Sequence, residues 1–260
     1  MRILLFRHGE TAGNLKQRYV GKRTNEPLTD AARGALFAAA EKRRRLYEKE
    51  AGAWPKREGR SESFDSSKQC GRREPFAGSD KENRPDAFAC LARKVRKVYI
   101  SPMARCQETA EILFPDCCRT VSEGLSECDF GRFEYKNFRE LSKDAEYQRF
   151  LDSGGTGGFP GGERVAAFKK RCADTFFSIL RQEAAKERPQ EDEILAFVVH
   201  GGTIMAVMER FALPRRDYFA WQVKNGGGFV AEAVGFGGDG KEAVLLCPVR
   251  VSVFDREVRG

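Results

Sequence analysis

The chain has 260 residues, 41% of them hydrophobic and 32% charged, and a formal net charge of +8. That length allows one large α/β domain or two small ones. Its apolar runs are too short to span a membrane and its first residues lack the organisation of a signal peptide, so a cytoplasmic protein with no membrane partner is expected.

The positive balance suits nucleic acid or a small anionic substrate. The eight cysteines form no C-x-x-C pair, and there are only two histidines. A Cys/His zinc site therefore has no support, and neither a metal nor a cofactor is expected. Reduced thiols are the default expectation.

Arg2 to Phe6 is a short apolar run that ends abruptly in Arg7-His8-Gly9-Glu10, as a buried strand with a site at its carboxyl end would. Thr11 to Thr24 is polar and turn-rich. A helix is predicted from Pro27-Leu28-Thr29-Asp30, with Thr29 or Asp30 as cap and Leu28, Ala32, Ala35, Leu36 and Ala39 on one face, continuing into the charged run Glu41 to Glu50. From about Ala51 to Ala89 the composition turns to Arg, Lys, Glu, Ser, Gly and Pro, which reads as a long, charged, mobile insertion in a single domain spanning 1–260. Its aromatics are too scattered for a single-strand nucleic-acid binder, and a nucleic-acid partner is not favoured.

Val95 to Ile100 reads as a strand. Ser101-Pro102 then signals a helix start, with serine as cap and proline at the first helical position. Arg105 falls in the first turns of that helix, where backbone amides and a positive side chain together suit an anion. Arg119 to Val121 is a short strand candidate. Leu125 to Gly131 places Glu127 and Asp129 around a turn. Phe133 to Phe150 reads as a helix packed through Phe138, Leu141 and Phe150. Gly154 to Gly162 is a glycine-rich loop without the Gly-Lys-Ser/Thr of a P-loop. Glu163 to Lys186 has an amphipathic helical pattern. Ile194 to Val199 is a second buried strand, closed by His200-Gly201-Gly202, with a helix from Thr203 to Phe211 behind it. Phe229 to Val234 and Ala243 to Val253 read as an antiparallel hairpin at one sheet edge. Strands alternating with helices imply a three-layer α/β/α domain with a mostly parallel mixed sheet.

The only two histidines thus both follow predicted buried strands and precede glycine, and strand ends are where open α/β sheets bind ligands. Arg7, His8, Arg105 and His200 can converge on one crevice. Two guanidiniums match the non-bridging oxygens of a phosphoryl group. One neutral imidazole can attack phosphorus, and the other, if protonated, can stabilise the developing charge. A carboxyl group is then needed for the leaving oxygen. Glu127 is best placed by context, with Asp129 and Glu10 as alternatives.

These residues resemble the histidine phosphatase superfamily, the phosphoglycerate mutase-like fold. The resemblance rests on Arg7-His8-Gly9-Glu10-Thr11 with Asn14, on SPMARCQETA from Ser101, on LSECDFGRFE from Leu125 to Glu134, and on His200-Gly201-Gly202. It covers about Met1 to Ala40 and Val95 to Val234. It implies that His8 is the nucleophile of a phosphohistidine intermediate. It also implies that Arg7, Arg105 and His200 complete the phosphate pocket, with contributions from Asn14 and the Gly202 amide, and that Glu127 is the proton donor. The implied activity is metal-independent hydrolysis of a small phosphate monoester. In layout the chain is similar to the alpha-ribazole phosphatase group of cobalamin assembly. The alternatives are a cofactor-dependent phosphoglycerate mutase and a non-catalytic module that binds phosphorylated ligands. Three positions depart from the usual pattern: Glu134-Tyr135 where Glu-Gly is common, Gly161-Gly162-Glu163-Arg164 where Gly-Gly-Glu-Ser is common, and Cys106 in place of alanine.

Overall fold

A computed structural model describes residues 1–52, 92, 94–186, 194–236 and 243–253. Apart from Ala51 and Gly52, the expected insertion at 51–89 lies outside the described residues. Six strands form one sheet: β1 (Arg2–Arg7), β2 (Val95–Ile100), β3 (Cys118–Val121), β4 (Ile194–Val199), β5 (Gly227–Val234) and β6 (Val244–Ser252). The spatial order is β3-β2-β4-β1-β5-β6. β1, β2, β3 and β4 pair in parallel, while β5 runs antiparallel to both β1 and β6. The hairpin expected at one edge is therefore present, and it lies beside β1.

Helices cover both faces. The helices lying in full among the described residues are α1 (Ala12–Leu15), α2 (Asp30–Gly52), α3 (Ala104–Leu113), α4 (Phe138–Leu141), α5 (Ala145–Asp152), α6 (Val165–Ala184) and α7 (Gly201–Phe211). The pleat of the central strands sorts their side chains between two cores. Leu4, Phe6, Val98, Ile100, Ala196 and Val198 pack with Leu28, just before α2, with Ala32, Leu36 and Ala39 of the first half of α2, and with Ala110 and Leu113 of α3. Ile3, Leu5, Phe197 and Val199 pack on the opposite face against Phe176, Ile179 and Leu180 of α6 and Ile204, Val207 and Phe211 of α7. β4 is buried at every position, which accounts for its unbroken apolar run. The expected three-layer α/β/α architecture is what forms. Among the described residues no helix is long and apolar enough to cross a membrane.

Two expected elements differ. The helix after β2 begins at Ala104 with Met103 as the capping residue, not at Ser101. The Ala104 amide is satisfied by the Asn25 side chain at 2.7 Å, so a distant loop caps this helix and the Ser101 hydroxyl is free for the site. The single helix expected over Phe133 to Phe150 is three pieces: a 3₁₀ turn at Gly131–Phe133, then α4 and α5. Asn137 and Asp144 each accept, through the side-chain Oδ1, the amides two and three residues further on, and restart the helix there. In consequence Phe138 is exposed, while Leu141 is buried and Phe150 joins an aromatic cluster with Phe133, Tyr147 and Phe159.

Candidate active site

The order of the sheet places the carboxyl ends of β2, β4 and β1 side by side, and the residues just beyond them meet there. His8 follows β1, and its backbone amide extends the ladder by donating to Val199 O at 3.0 Å. His200 follows β4 as the capping residue of α7. Ser101 follows β2, its amide donating to Val198 O at 3.2 Å. The two imidazoles stand edge to face with centroids 5.2 Å apart, and both are buried.

His8 Nδ1 lies 2.6 Å from Gly9 O. A carbonyl only accepts, so Nδ1 carries the proton and the Nε2 lone pair is left for chemistry. Burial, then Arg105 and Arg7, hold the imidazole well below its ordinary pKa, so it is neutral near pH 7. Burial, Arg105, His8 and Arg7 do the same to His200. The protonated His200 considered from sequence is therefore not the resting form. Ser101 Oγ fixes that ring by a hydrogen bond of 2.6 Å to Nε2. Cys106, the departure from alanine, packs its sulfur 3.6 Å from the same nitrogen, and burial pushes its thiol up to about 12, leaving it uncharged.

Both arginines are braced through part of the guanidinium. Arg7 Nη1 donates to Val223 O at 2.7 Å. Arg105 is fully buried and donates to Thr24 O at 2.7 Å and Gly21 O at 3.1 Å. The Nε–H of each is buried with no hydrogen-bond partner in the protein. Unpaired buried donors are uncommon and costly, and two beside a pair of imidazoles suit an anion with several acceptor oxygens.

Glu127 sits in an irregular segment after a 3₁₀ turn at Glu123–Leu125. Its carboxyl accepts the Cys128 amide at 3.0 Å and the Gly202 amide at 3.2 Å. Burial raises its pKa, opposed by those two amides and then by Arg105 and Arg7. The Gly202 amide, expected at the phosphate, is thus directed at Glu127. Asp129 is turned outward, to Arg23 at 2.8 Å and the Gly131 amide at 2.9 Å. Glu10 is half-buried and bears on the site through its charge on Arg7.

Asn14 spends its Oδ1 on the Thr11 amide at 3.2 Å and on Asn225 Nδ2 at 3.0 Å, leaving its own Nδ2 outside both bonds. Asn225 also reaches His8 O at 3.2 Å and Gly9 O at 3.3 Å. It ties the His8 loop to α1, and sequence reasoning missed it, because Lys224-Asn225-Gly226 reads as an ordinary turn. The role of Ser101 was missed for the same kind of reason: its helix-start signal masked it. Tyr135, where glycine is common, adopts a left-handed backbone (φ 59°), the conformation that glycine takes without strain.

A mostly parallel mixed sheet with two buried histidines and two braced arginines gathered at its strand ends is the arrangement of an anion-handling α/β protein. A model of the histidine phosphatase superfamily (branch 1) matches residues 86–244, and the chain belongs to that superfamily. Solved structures agree in fold. A putative alpha-ribazole-5'-P phosphatase from Escherichia coli superimposes with a TM-score of 0.62 at 19% identity, covering 94% of each chain. Mycobacterial hydrolase 1 gives a TM-score of 0.65 at 18% identity, covering 94% of this chain and 95% of its own. A phosphoglycerate mutase from Thermus thermophilus gives 0.54 at 21%, covering 97% and 99%. No curated protein matches in sequence.

Proposed function

We propose that the protein is a metal-independent phosphomonoesterase that hydrolyses a small phosphorylated metabolite through a phosphohistidine at His8. One observation carries the reading: a neutral His8, its Nδ1 engaged by Gly9 O and its Nε2 lone pair left over, feels the charges of Arg105 and Arg7, each of which keeps a buried Nε–H with no partner in the protein. In the first step Nε2 attacks phosphorus, the ester P–O bond breaks, and Glu127 gives its proton to the leaving oxygen. Arg7 and Arg105 hold the equatorial oxygens and oppose the charge that builds there, while the neutral His200, its Nε2 engaged by Ser101, donates from Nδ1–H, with Asn14 Nδ2 as a further donor. In the second step the Glu127 carboxylate takes a proton from water as that water attacks the phosphohistidine. Inorganic phosphate leaves and His8 is restored.

The positive charge needed by the transition state comes from side chains, so activity is expected in excess EDTA. Alpha-ribazole 5'-phosphate is the substrate to try first, supported by the layout of the third motif and by the name of the Escherichia coli neighbour. The test is phosphate release from an aryl phosphate in EDTA by wild type and His8→Ala, with acid-quenched protein probed for phosphohistidine. Turnover and trapped phosphohistidine in wild type alone support the reading. Full activity in His8→Ala, or activity restored only by added metal, refutes it. Phosphate moved between phosphoglycerate positions without release would indicate a mutase. Binding of phosphate esters without turnover would indicate a non-catalytic module.

A further inference from the structure

We propose that Arg171 and Glu163 form a positioning pair that sets where the Glu127 carboxyl stands, so that proton donation to the leaving group depends on two residues that touch no substrate. This rests on the reading of Glu127 as the acid.

The segment bearing Glu127 runs from the 3₁₀ turn at Glu123–Leu125 into residues with no helix or strand, and its carbonyls have no ladder to join. Arg171, from the second turn of α6, supplies the missing donors. Its Nη1 donates to Gly124 O and Ser126 O, each at 3.0 Å, and its Nη2 donates to Glu127 O at 3.4 Å. Its remaining donors meet Glu163 in a fork, Nε to Oε1 at 3.0 Å and Nη2 to Oε2 at 2.8 Å. Every N–H of this guanidinium is therefore used, and the pair is largely shielded, with side-chain exposures of 24% and 19%. Glu163 adds a second grip: its own amide donates to Asp129 O at 2.8 Å. The backbone on both sides of Glu127 is thus fastened to Glu163 and the early turns of α6, while its carboxyl accepts the Gly202 amide and feels the charges of Arg105 and Arg7.

Chemistry gives such a pair a signature distinct from general structural support. A proton donor matters most when the leaving oxygen is basic and little when it is not. The experiment measures kcat/KM on substituted phenyl phosphates, from 4-nitrophenyl phosphate to phenyl phosphate, whose phenol has a pKa of ~10 like tyrosine. Glu127→Gln is the reference. Arg171→Met is expected to lose roughly tenfold more on phenyl phosphate than on 4-nitrophenyl phosphate, since a misplaced acid forfeits part of its ~10²–10⁴ contribution. Arg171→Lys restores only a fraction, because an ammonium cannot reproduce the fork. Glu163→Gln gives a smaller loss of the same kind, and keeps the question open to test should Arg171→Met fail to fold. In the Glu127→Gln background, Arg171→Lys adds no further leaving-group dependence. Equal losses on all esters in the Arg171 and Glu163 variants would overturn the proposal. If Glu127→Gln itself shows no leaving-group dependence, it is the assignment of the acid that fails, whatever the Arg171 variants do.

Discussion

Gly202→Ala isolates the placement of Glu127, the proposed proton donor, from the stability of the fold. A Cβ built at Gly202 overlaps Glu127 Oε1 and stands 3.2 Å from the carboxyl carbon and 3.0 Å from Phe168 Cζ. Ordinary contact is ~3.5–4.0 Å, so the carboxyl must retreat by roughly 0.5–1 Å. Phe168 blocks one direction and is itself buried in a hydrophobic cluster with Cys172 and Ala206 among its members. The retreat breaks or stretches the bond from the Gly202 amide, which is 3.2 Å already. A displacement near 1 Å in a catalytic constellation costs about 10²-fold, within the ~10²–10⁴ that general acid catalysis supplies. Position 202 lies in the first turn of α7, where alanine is a better helix former than glycine by up to ~1 kcal/mol. Stability should therefore change little while activity falls. The assay is kcat/KM on phenyl phosphate beside a urea unfolding curve. A variant within a factor of two of wild type in kcat/KM would refute the account of how Glu127 is held. A loss of activity matched by a collapse in the urea midpoint would assign the effect to folding instead.

Two further predictions concern protonation and the second histidine. His8 must be neutral and Glu127 protonated, so kcat/KM should rise with pH through a limb below 6.5, where burial and the arginines have moved His8, and fall through a limb above 4.5, where burial has moved Glu127. Glu127→Gln should abolish the alkaline limb and leave the acid one, and a pH–rate profile with both limbs intact would count against this assignment. Ser101→Ala removes the hydrogen bond to His200 Nε2 and leaves only the Cys106 sulfur near that buried nitrogen, which should cost about 1–3 kcal/mol in urea unfolding. It should also lower kcat by roughly tenfold through a loosened ring. An unchanged urea midpoint would show that the ring is held by packing alone.

The strands and the two-faced helices were legible because burial writes a period into the sequence. The alternation Ile3, Leu4, Leu5, Phe6 could not say which side chain faces which layer, but an apolar run between charged flanks announced the strand, as Ile194 to Val199 did. Where local capping competes with continuity the reading failed: Asn137 and Asp144 each stop one turn and start another within a stretch whose apolar spacing suggested a single helix. Ser101 failed the other way, since a residue suited to capping was drawn to a histidine 99 positions away.

The sequence by itself determined which chemistry-bearing groups are available and that each histidine ends a buried strand, because these depend on residues adjacent in the chain. Only the tertiary structure decided what those groups meet. The order β2-β4-β1 puts Ser101, His200 and His8 at neighbouring strand ends. Thr24 O and Gly21 O brace Arg105, Asn225 spans His8 and Asn14, and Arg171 gathers the carbonyls around Glu127. Those contacts join residues tens to hundreds of positions apart, and their worth comes from burial, where an unpaired donor or acceptor is expensive. No local pattern encodes that pairing; it follows from the packing of the sheet and its two helical layers.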